Sequence, residues 1–331
     1  PLWPPINQKT QHTPYPPAAE LVFAATYQLA PDSVKAQQVV AILGDLLAIG
    51  ALLLLLGRLG LPRERVLLYA WSPTPALHFA HSAHHDALMI AAMVLALALT
   101  TGTGATARHA VSGLALALAG LIKLVPLLLA PLLVRRWRAA GTLTFAVVLA
   151  LGAAPWLLAS AALTGLGAEA SEAVFNDSLH YVFVRLLGHL TAAPERAAGL
   201  LAAGILGAVA LALAARGARD DLALVRQAAA LLGLALLLNA VVEPWYLAWL
   251  LPFVAVLLRR GAGRLPFALT PILGWLWLSG AAQLTDLTYL SSAAARWWPL
   301  IRAVEYGPLF VLLALACYRA VRARPIMAQS G

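Results

Sequence analysis

The sequence predicts an all-α integral membrane protein, a polytopic bundle of transmembrane helices, and three observations support this. Of the 331 residues, 62% are hydrophobic and 11% are charged, whereas soluble domains have about 45–50% apolar and about 25% charged residues. A helix needs about 20 apolar residues to cross a bilayer, and apolar stretches of this length recur along the chain. Arginines are concentrated in alternate loops between these stretches. The mean hydropathy of +0.82 agrees, and a soluble globular protein is excluded.

The elements follow in chain order. Residues 1–35 are rich in proline and are expected to form an external loop with a short helix. A membrane bundle over 36–324 then carries external loops at about 165–195 and 284–303, and 325–331 is a cytoplasmic tail. Uninterrupted apolar stretches predict straight spans at 36–57, 140–164, 196–215, 227–241, 245–258, 265–283 and 304–320.

Two further apolar segments, 66–101 and 109–134, are each interrupted by polar residues. Because arginine-rich loops lie on either side of this region, an even number of crossings must separate them. We therefore predict two hairpins of short helices, with breaks at the histidine-rich stretch 81–86 and at Lys123. Non-helical backbone at membrane depth is tolerated where it lines a cavity. The hairpins are 66–78 with 87–101 and 110–122 with 124–134.

The distribution of charge predicts the orientation. With Arg108, the arginine-rich loops contain 16 basic and three acidic residues, whereas the other loops contain six basic and ten acidic residues. Short cytoplasmic loops are enriched in Lys and Arg, so the arginine-rich loops are expected on the cytoplasmic side. This bias accounts for the net charge of +9 without a nucleic-acid partner. The arginine-rich loops are 58–65, 135–138, 216–226, 259–264 and 319–324.

The stretch His84-His85-Asp86 contains the strongest candidates for chemistry, because ionisable residues within membrane segments are costly and usually functional. Asp86 could instead only cap the helix that follows it. His81 and His85 could contribute to a metal site, but two imidazoles and one carboxylate are weak evidence. The single cysteine, Cys317, excludes both an intrachain disulfide and a thiolate metal site.

Two other positions within apolar segments carry ionisable groups. Lys123 lies too deep to reach the interface comfortably and therefore requires an anionic partner, which could be Asp45 or a substrate phosphate. Glu243, before Pro244, is a second candidate catalytic carboxylate besides Asp86. The candidate substrate-binding residues are Asn7, Lys9, Tyr15, His84, His85, Lys123, Trp245, Tyr246, Arg296 and Arg302.

Five short motifs recur in an order that resembles bacterial GT-C glycosyltransferases, particularly the polyprenyl-phosphate-mannose-dependent mannosyltransferases. This resemblance implies a GT-C-type bundle with short broken helices lining an external cavity. It also implies that a hexose is transferred with inversion from a polyprenyl-phosphate carrier to a glycan or lipid acceptor on the external face. Mannose is the first candidate for this hexose. The motifs are Tyr15-Pro-Pro-Ala-Ala-Glu20, Ala70-Trp-Ser-Pro73 with His84-His-Asp-Ala-Leu88, Gly113 through Lys123 to Pro126, Pro244-Trp-Tyr-Leu247 and Glu305-Tyr-Gly-Pro308.

The resemblance places the usual catalytic base, an aspartate, in a first external loop that would precede Pro1. Because the sequence begins without methionine, we expect it to be truncated at its N-terminus. We expect a multi-pass protein of the bacterial cytoplasmic membrane with an outward-facing site, in contact with membrane lipid and without a cofactor or metal. The competing hypothesis is a transporter or lipid flippase, which the absence of a sequence repeat disfavours.

Overall fold

A computed structural model describes residues 13–102, 105–158, 176–258 and 297–322, and most of these residues are helical. Three 3-10 segments, Arg63–Val66, Val125–Leu129 and Pro244–Leu250, and one π-helical turn, Pro75–His81, interrupt the α-helices. The α-helices are α1 Pro17–Leu29, α2 Val34–Arg58, α3 Leu67–Ala70, α4 Asp86–Thr100, α5 Thr106–Ile122, α6 Ala130–Val134, α7 Ala139–Leu158, α8 Leu179–Leu187, α9 Pro194–Arg216, α10 Asp221–Leu238, α11 Leu251–Leu257 and α12 Trp298–Arg322.

The best-packed part of the fold is a row of four helices in which α2 contacts α4, α4 contacts α5 and α5 contacts α7. Small residues bring the last two together. A Cβ atom added to Gly113 of α5 would collide with the carbonyl oxygen of Gly141 in α7. Close helix approach through small residues is a common device of membrane helices, where lipid is as apolar as the side chains.

A second group of helices completes the bundle, with α9 and α11 both packed against α10. Within the described ranges, five helices are long and apolar enough to cross a membrane, namely Val34–Arg58, Ala139–Leu158, Pro194–Arg216, Asp221–Leu238 and Leu300–Tyr318. A sixth candidate is the pair Pro75–His81 and Asp86–Thr100, which is bent by 119° at the break between them.

Both predicted breaks are present. The chain bends sharply between the π-helical turn and α4, and α5 ends at Ile122 so that Lys123 is extended, with φ −154° and ψ 136°. The predicted single helix 66–78 is wrong, because α3 ends at Ala70 and helical structure resumes at Pro73, just before the π-helical turn. Pro73 accounts for the interruption, since proline disfavours the α conformation in the residue before it.

Three other predicted spans differ from the structure in detail. The predicted span 227–241 begins earlier, at Asp221, because the Asp220 carboxylate accepts a hydrogen bond from Ala223 N at 2.6 Å and caps the helix. Both 124–134 and 245–258 begin as 3-10 helix before they become α-helical. The predicted span 265–283 and residues 159–164 lie outside the described residues.

Arginine-bearing loops meet at one end of the bundle, here called the arginine end and made of 58–65, 101–102, 105–108, 135–138 and 216–221. Arg65 donates hydrogen bonds to the carbonyl oxygens of Val256 and Leu258 at 2.7 and 2.6 Å. Arg136 binds Asp221, whose other carboxylate oxygen accepts from Gly102 N. Because α4, α5 and α10 all have one terminus at this end, Asp86, Lys123 and the chain after Leu238 lie at the other.

Candidate functional site

The centre of the candidate site is an ion pair between Asp86 and Lys123, whose Nζ lies 2.8 Å from Asp86 Oδ1. The carboxylate is 5% exposed and the lysine side chain 20% exposed. Asp86 is the first residue of α4 and Lys123 follows the last residue of α5. A negative charge at a helix N-terminus and a positive charge at a C-terminus are both favoured by the helix dipole, so each helix stabilises its own charge.

Asp86 also accepts a hydrogen bond from a second donor, which is uncharged. Trp249 Nε1 donates to the same Oδ1 atom at 2.7 Å, so one carboxylate oxygen receives both the ammonium and the indole. Oδ2 accepts no hydrogen bond from the part of the chain that the structure describes. The carboxylate is therefore held in a fixed orientation by one oxygen, and its other oxygen remains available as an acceptor.

The 3-10 helix Pro244–Leu250 presents aromatic rings to this pair. Residues three apart eclipse one another in a 3-10 helix, and accordingly Tyr246 and Trp249 stack with ring centroids 4.2 Å apart and an interplanar angle of 23°. Lys123 Nζ lies 4.0 Å from the Tyr246 centroid and 4.9 Å from that of Trp249. Such cation–π contacts stabilise an ammonium in an environment with little water.

Histidines extend the cluster on its other side. His84 stacks on Trp245, with centroids 3.7 Å apart and planes at 18°, and His78 lies 5.7 Å from the same ring. His85 is buried and packs edge-on against Phe23 of α1, while its Nε2 has no hydrogen-bond partner among the described residues. Tyr15 in turn contacts Phe23, so the N-terminal segment covers this face of the site.

Glu243, the second predicted catalytic carboxylate, immediately precedes the aromatic 3-10 helix. Its carbonyl oxygen accepts from Tyr246 N at 2.9 Å, and its side chain is 9% exposed. The backbone at Glu243 is extended, and Pro244, which needs no N–H partner, starts the helix. Glu243 and the residues that surround the ion pair are thus carried by one short segment.

A second polar cluster lies between the segment 176–180 and α12. Arg302 Nη2 contacts Asp177 Oδ1 at 2.6 Å, and His180 Nδ1 lies 3.3 Å from the other carboxylate oxygen. Asn176 donates to Glu305, and its carbonyl accepts from the Tyr306 hydroxyl at 2.8 Å. Arg302, predicted as a phosphate partner, therefore already has a carboxylate partner in this structure.

Several sequence predictions can now be placed. Lys123 pairs with Asp86, so the alternative that its partner is Asp45 is wrong; Asp45 instead accepts from the Tyr69 hydroxyl at 2.7 Å. Asn7, Lys9 and Arg296 lie outside the described residues. Among the residues that the structure describes, no group of three or more His, Cys, Asp or Glu side chains is arranged to hold a metal ion.

Sequence reasoning missed Trp249, His78 and Phe23, although the structure places all three in contact with the predicted residues. Trp249 follows Tyr246 by three residues, a spacing that places two side chains on one face of an α-helix or a 3-10 helix, so this spacing could have identified it. His78 precedes His84 by six residues, and the π-helical turn Pro75–His81 brings their ring centroids to 6.0 Å. Phe23 gave no signal, because an aromatic residue in an apolar helix is ordinary.

Comparisons with known proteins identify relatives. The family model of glycosyltransferase family 87 matches residues 13–244. Among solved structures, the crystal structure of ArnT from Cupriavidus metallidurans bound to undecaprenyl phosphate matches with a TM-score of 0.51 and 16% sequence identity, over 94% of this chain and 68% of that chain. At that identity the match shows a shared fold. No curated protein matches the sequence significantly.

Proposed function

The chain belongs to glycosyltransferase family 87. We propose that it moves a hexose from a polyprenyl-phosphate carrier to a glycan or lipid acceptor, and mannose is the first candidate for this hexose. The reaction takes place on the external face of the bacterial cytoplasmic membrane and inverts the anomeric carbon. The observation that carries the proposal is the Asp86–Lys123 pair, which lies among aromatic rings at the end of the bundle opposite the arginine end.

Lys123 is the proposed partner of the carrier phosphate. A lysine ammonium has three N–H donors, and Asp86 accepts one of them among the described residues. The others remain for phosphate oxygens, where a cation stabilises the charge that develops as the phosphate departs. ArnT, which shares the fold, is described as bound to undecaprenyl phosphate, and this supports a polyprenyl-phosphate carrier here.

The aromatic residues are the proposed sugar contacts. Trp245 and Tyr246 are in edge-to-face contact, with ring centroids 6.0 Å apart and planes at 85°, and together they form one aromatic surface beside Lys123. Binding sites for small molecules combine apolar and aromatic walls with a few placed polar groups. His84, stacked on Trp245, and His85, whose Nε2 lacks a described partner, are the polar groups closest in sequence to the pair. We assign these four residues to the donor sugar and its phosphate.

The chemical step is a direct displacement. The acceptor hydroxyl oxygen forms a bond to the anomeric carbon, and the bond from that carbon to the phosphate oxygen breaks with its electron pair remaining on the phosphate. The hydroxyl proton passes to a carboxylate base, which must lie within hydrogen-bond reach. Asp86, through its Oδ2 atom, and Glu243 are proposed to assist that base. Both carboxylates could also bind sugar hydroxyls.

The test is transfer by the complete protein reconstituted in lipid vesicles. Labelled polyprenyl-phosphate mannose, and the glucose analogue in a parallel reaction, are supplied with a hydroxyl acceptor, and product is measured per mole of folded protein. Asp86→Asn and Glu243→Gln are each expected to lower turnover at least about tenfold, because acid–base groups contribute typically 10²–10⁴-fold. Asp45→Asn is the matched control, a membrane carboxylate bonded to Tyr69, and should keep its turnover.

The outcomes separate the hypotheses. Consumption of the carrier sugar with formation of a glycosylated acceptor supports the transferase. Unchanged turnover in both Asp86→Asn and Glu243→Gln would remove these carboxylates from the site, and equal turnover with mannose and glucose carriers would overturn the assignment of the sugar. Movement of the intact carrier across the bilayer without product would favour the flippase.

A further inference from the structure

A cleft of about 200 Å³ opens at the arginine end of the bundle, far from the site described above. It lies where α6, α9 and α10 meet, between the stretches 132–136, 213–218 and 224–227. Asp86 and Lys123 are at the opposite ends of their helices, so the proposed transfer reaction does not use this cleft. Its volume exceeds the about 30 Å³ share of one liquid water molecule, so there is room for a polar group of several atoms.

Two arginines line the cleft, and they differ in their surroundings. Arg136 is fixed by hydrogen bonds to Asp221 Oδ1 at 2.6 Å and to the carbonyl oxygen of Ala218 at 2.9 Å. Arg135 is exposed, and its guanidinium donates no hydrogen bond among the described residues. Because the first arginine is neutralised by an aspartate and the second is not, Arg135 gives the cleft an uncompensated positive charge.

The surrounding surface adds to this charge. The stretches 132–138 and 213–227 contain six arginines and two aspartates, so the field at the cleft is positive. Gln227, which also lines it, donates one amide hydrogen to the Gly217 carbonyl at 3.1 Å. The amide retains a second N–H that can serve an anion.

The remaining walls are apolar, formed by Leu132, Leu213, Ala214 and Leu224. A free anion gains nothing from such walls, whereas an ester of phosphoric acid with hydrocarbon attached would contact both the charge and the apolar side chains. The cleft also lies at the ends of two candidate spanning helices, α9 and α10, which is the depth of lipid headgroups. Basic pockets between membrane helices on the cytoplasmic side are suited to anionic lipids.

We propose that this cleft binds the phosphate headgroup of an anionic phospholipid, with Arg135 as the principal contact and Leu213 against the start of the acyl chains. The bound lipid bridges α6, α9 and α10. It therefore stabilises the packing of these helices from the side of the membrane that the arginines face. This site is independent of the proposed sugar transfer.

The experiment measures lipid retention by the intact protein. The protein is extracted in mild detergent from vesicles that contain equal amounts of phosphatidylglycerol and phosphatidylcholine, and the retained lipids are quantified by native mass spectrometry. Arg135→Gln should lower the retained phosphatidylglycerol about fivefold, from a contribution of about 1 kcal/mol per basic residue near the surface. Ala214→Phe, which fills the cleft without changing charge, should lower it as well.

Arg219→Gln is the matched control, because Arg219 is exposed, carries the same charge and does not line the cleft. Retention of phosphatidylglycerol should be unchanged in this variant. The wild-type protein and all variants should retain phosphatidylcholine only weakly. An equal loss in Arg135→Gln and Arg219→Gln would show diffuse attraction and overturn the site. Displacement of the lipid by millimolar inorganic phosphate would show a free-anion site and overturn the proposal of a lipid.

Discussion

The Asp86–Lys123 pair can be tested by a double-mutant cycle on protein stability. Asp86→Asn removes the negative charge but keeps an oxygen that can accept from Trp249 and Lys123, and Lys123→Gln removes the positive charge. Breaking a buried ion pair by removing one partner costs about 3–5 kcal/mol. The lysine here is 20% exposed and is also contacted by two aromatic rings, so we expect each single variant to lose about 2 kcal/mol.

The double variant removes both charges and leaves no unpaired ion. It should lose about as much as either single variant, which gives a coupling energy near 2 kcal/mol within the range of contacting residues. Unfolding by a denaturing detergent in mixed micelles, followed by tryptophan fluorescence, measures the three free energies. The chain has ten tryptophans, so the signal follows unfolding of the whole bundle.

A parallel cycle of Lys123→Gln with Asp45→Asn is the control. Asp45 is also a carboxylate within an apolar segment, but it is bonded to Tyr69, so its effects should add to those of Lys123 within about 0.5 kcal/mol. Additivity in the Asp86 cycle as well would refute the reasoning, because the two charges would then not depend on each other. A larger coupling energy with Asp45 than with Asp86 would show that Asp45, and not Asp86, is the ion-pair partner of Lys123.

Gly113→Ala should destabilise the protein by about 1–3 kcal/mol through overpacking against the facing backbone of α7, whereas Gly199→Ala, with nothing within 4 Å of the added methyl group, should cost nothing in the same unfolding assay. In a cysteine-free background in intact cells, a membrane-impermeant thiol reagent should label Leu190→Cys and not Arg219→Cys, and the reverse pattern would invert the predicted orientation. Tyr306→Phe removes a buried hydrogen bond to a carbonyl and should lose about 1–2 kcal/mol; an unchanged unfolding free energy would show that the bond contributes nothing.

Hydrophobicity and charge were sufficient to predict the breaks at 81–86 and at Lys123, because both signals act locally along the chain. A polar residue inside an apolar stretch marks a position that lipid cannot surround, whatever its partner is. The same signals could not identify the partner of Lys123. Asp45 and Asp86 are both carboxylates in apolar surroundings, and the hydrogen bond from Tyr69 that occupies Asp45 follows only from how α2 packs against α3.

The aromatic wall was predicted in part, for a related reason. Trp245 and Tyr246 were identified from sequence, but the stretch 245–258 was assigned to a regular span, in which residues three apart share a face but are offset by about 60° around the helix axis. The 3-10 conformation of Pro244–Leu250 aligns Tyr246 with Trp249 instead. Propensity alone did not indicate this conformation, which brings both rings beside the Lys123 ammonium.

The ion pair also follows from how the two helices run. α4 and α5 are consecutive and packed together, and α5 begins at Thr106, six residues after α4 ends at Thr100, so the N-terminus of α4 lies beside the C-terminus of α5. These termini carry opposite partial charges, and Asp86 and Lys123 each occupy the end that favours their own sign. At these ends the ammonium contacts Asp86 and the rings of Tyr246 and Trp249. The proposed contact with a carrier phosphate uses the remaining N–H donors of this ammonium, at the same end of the bundle.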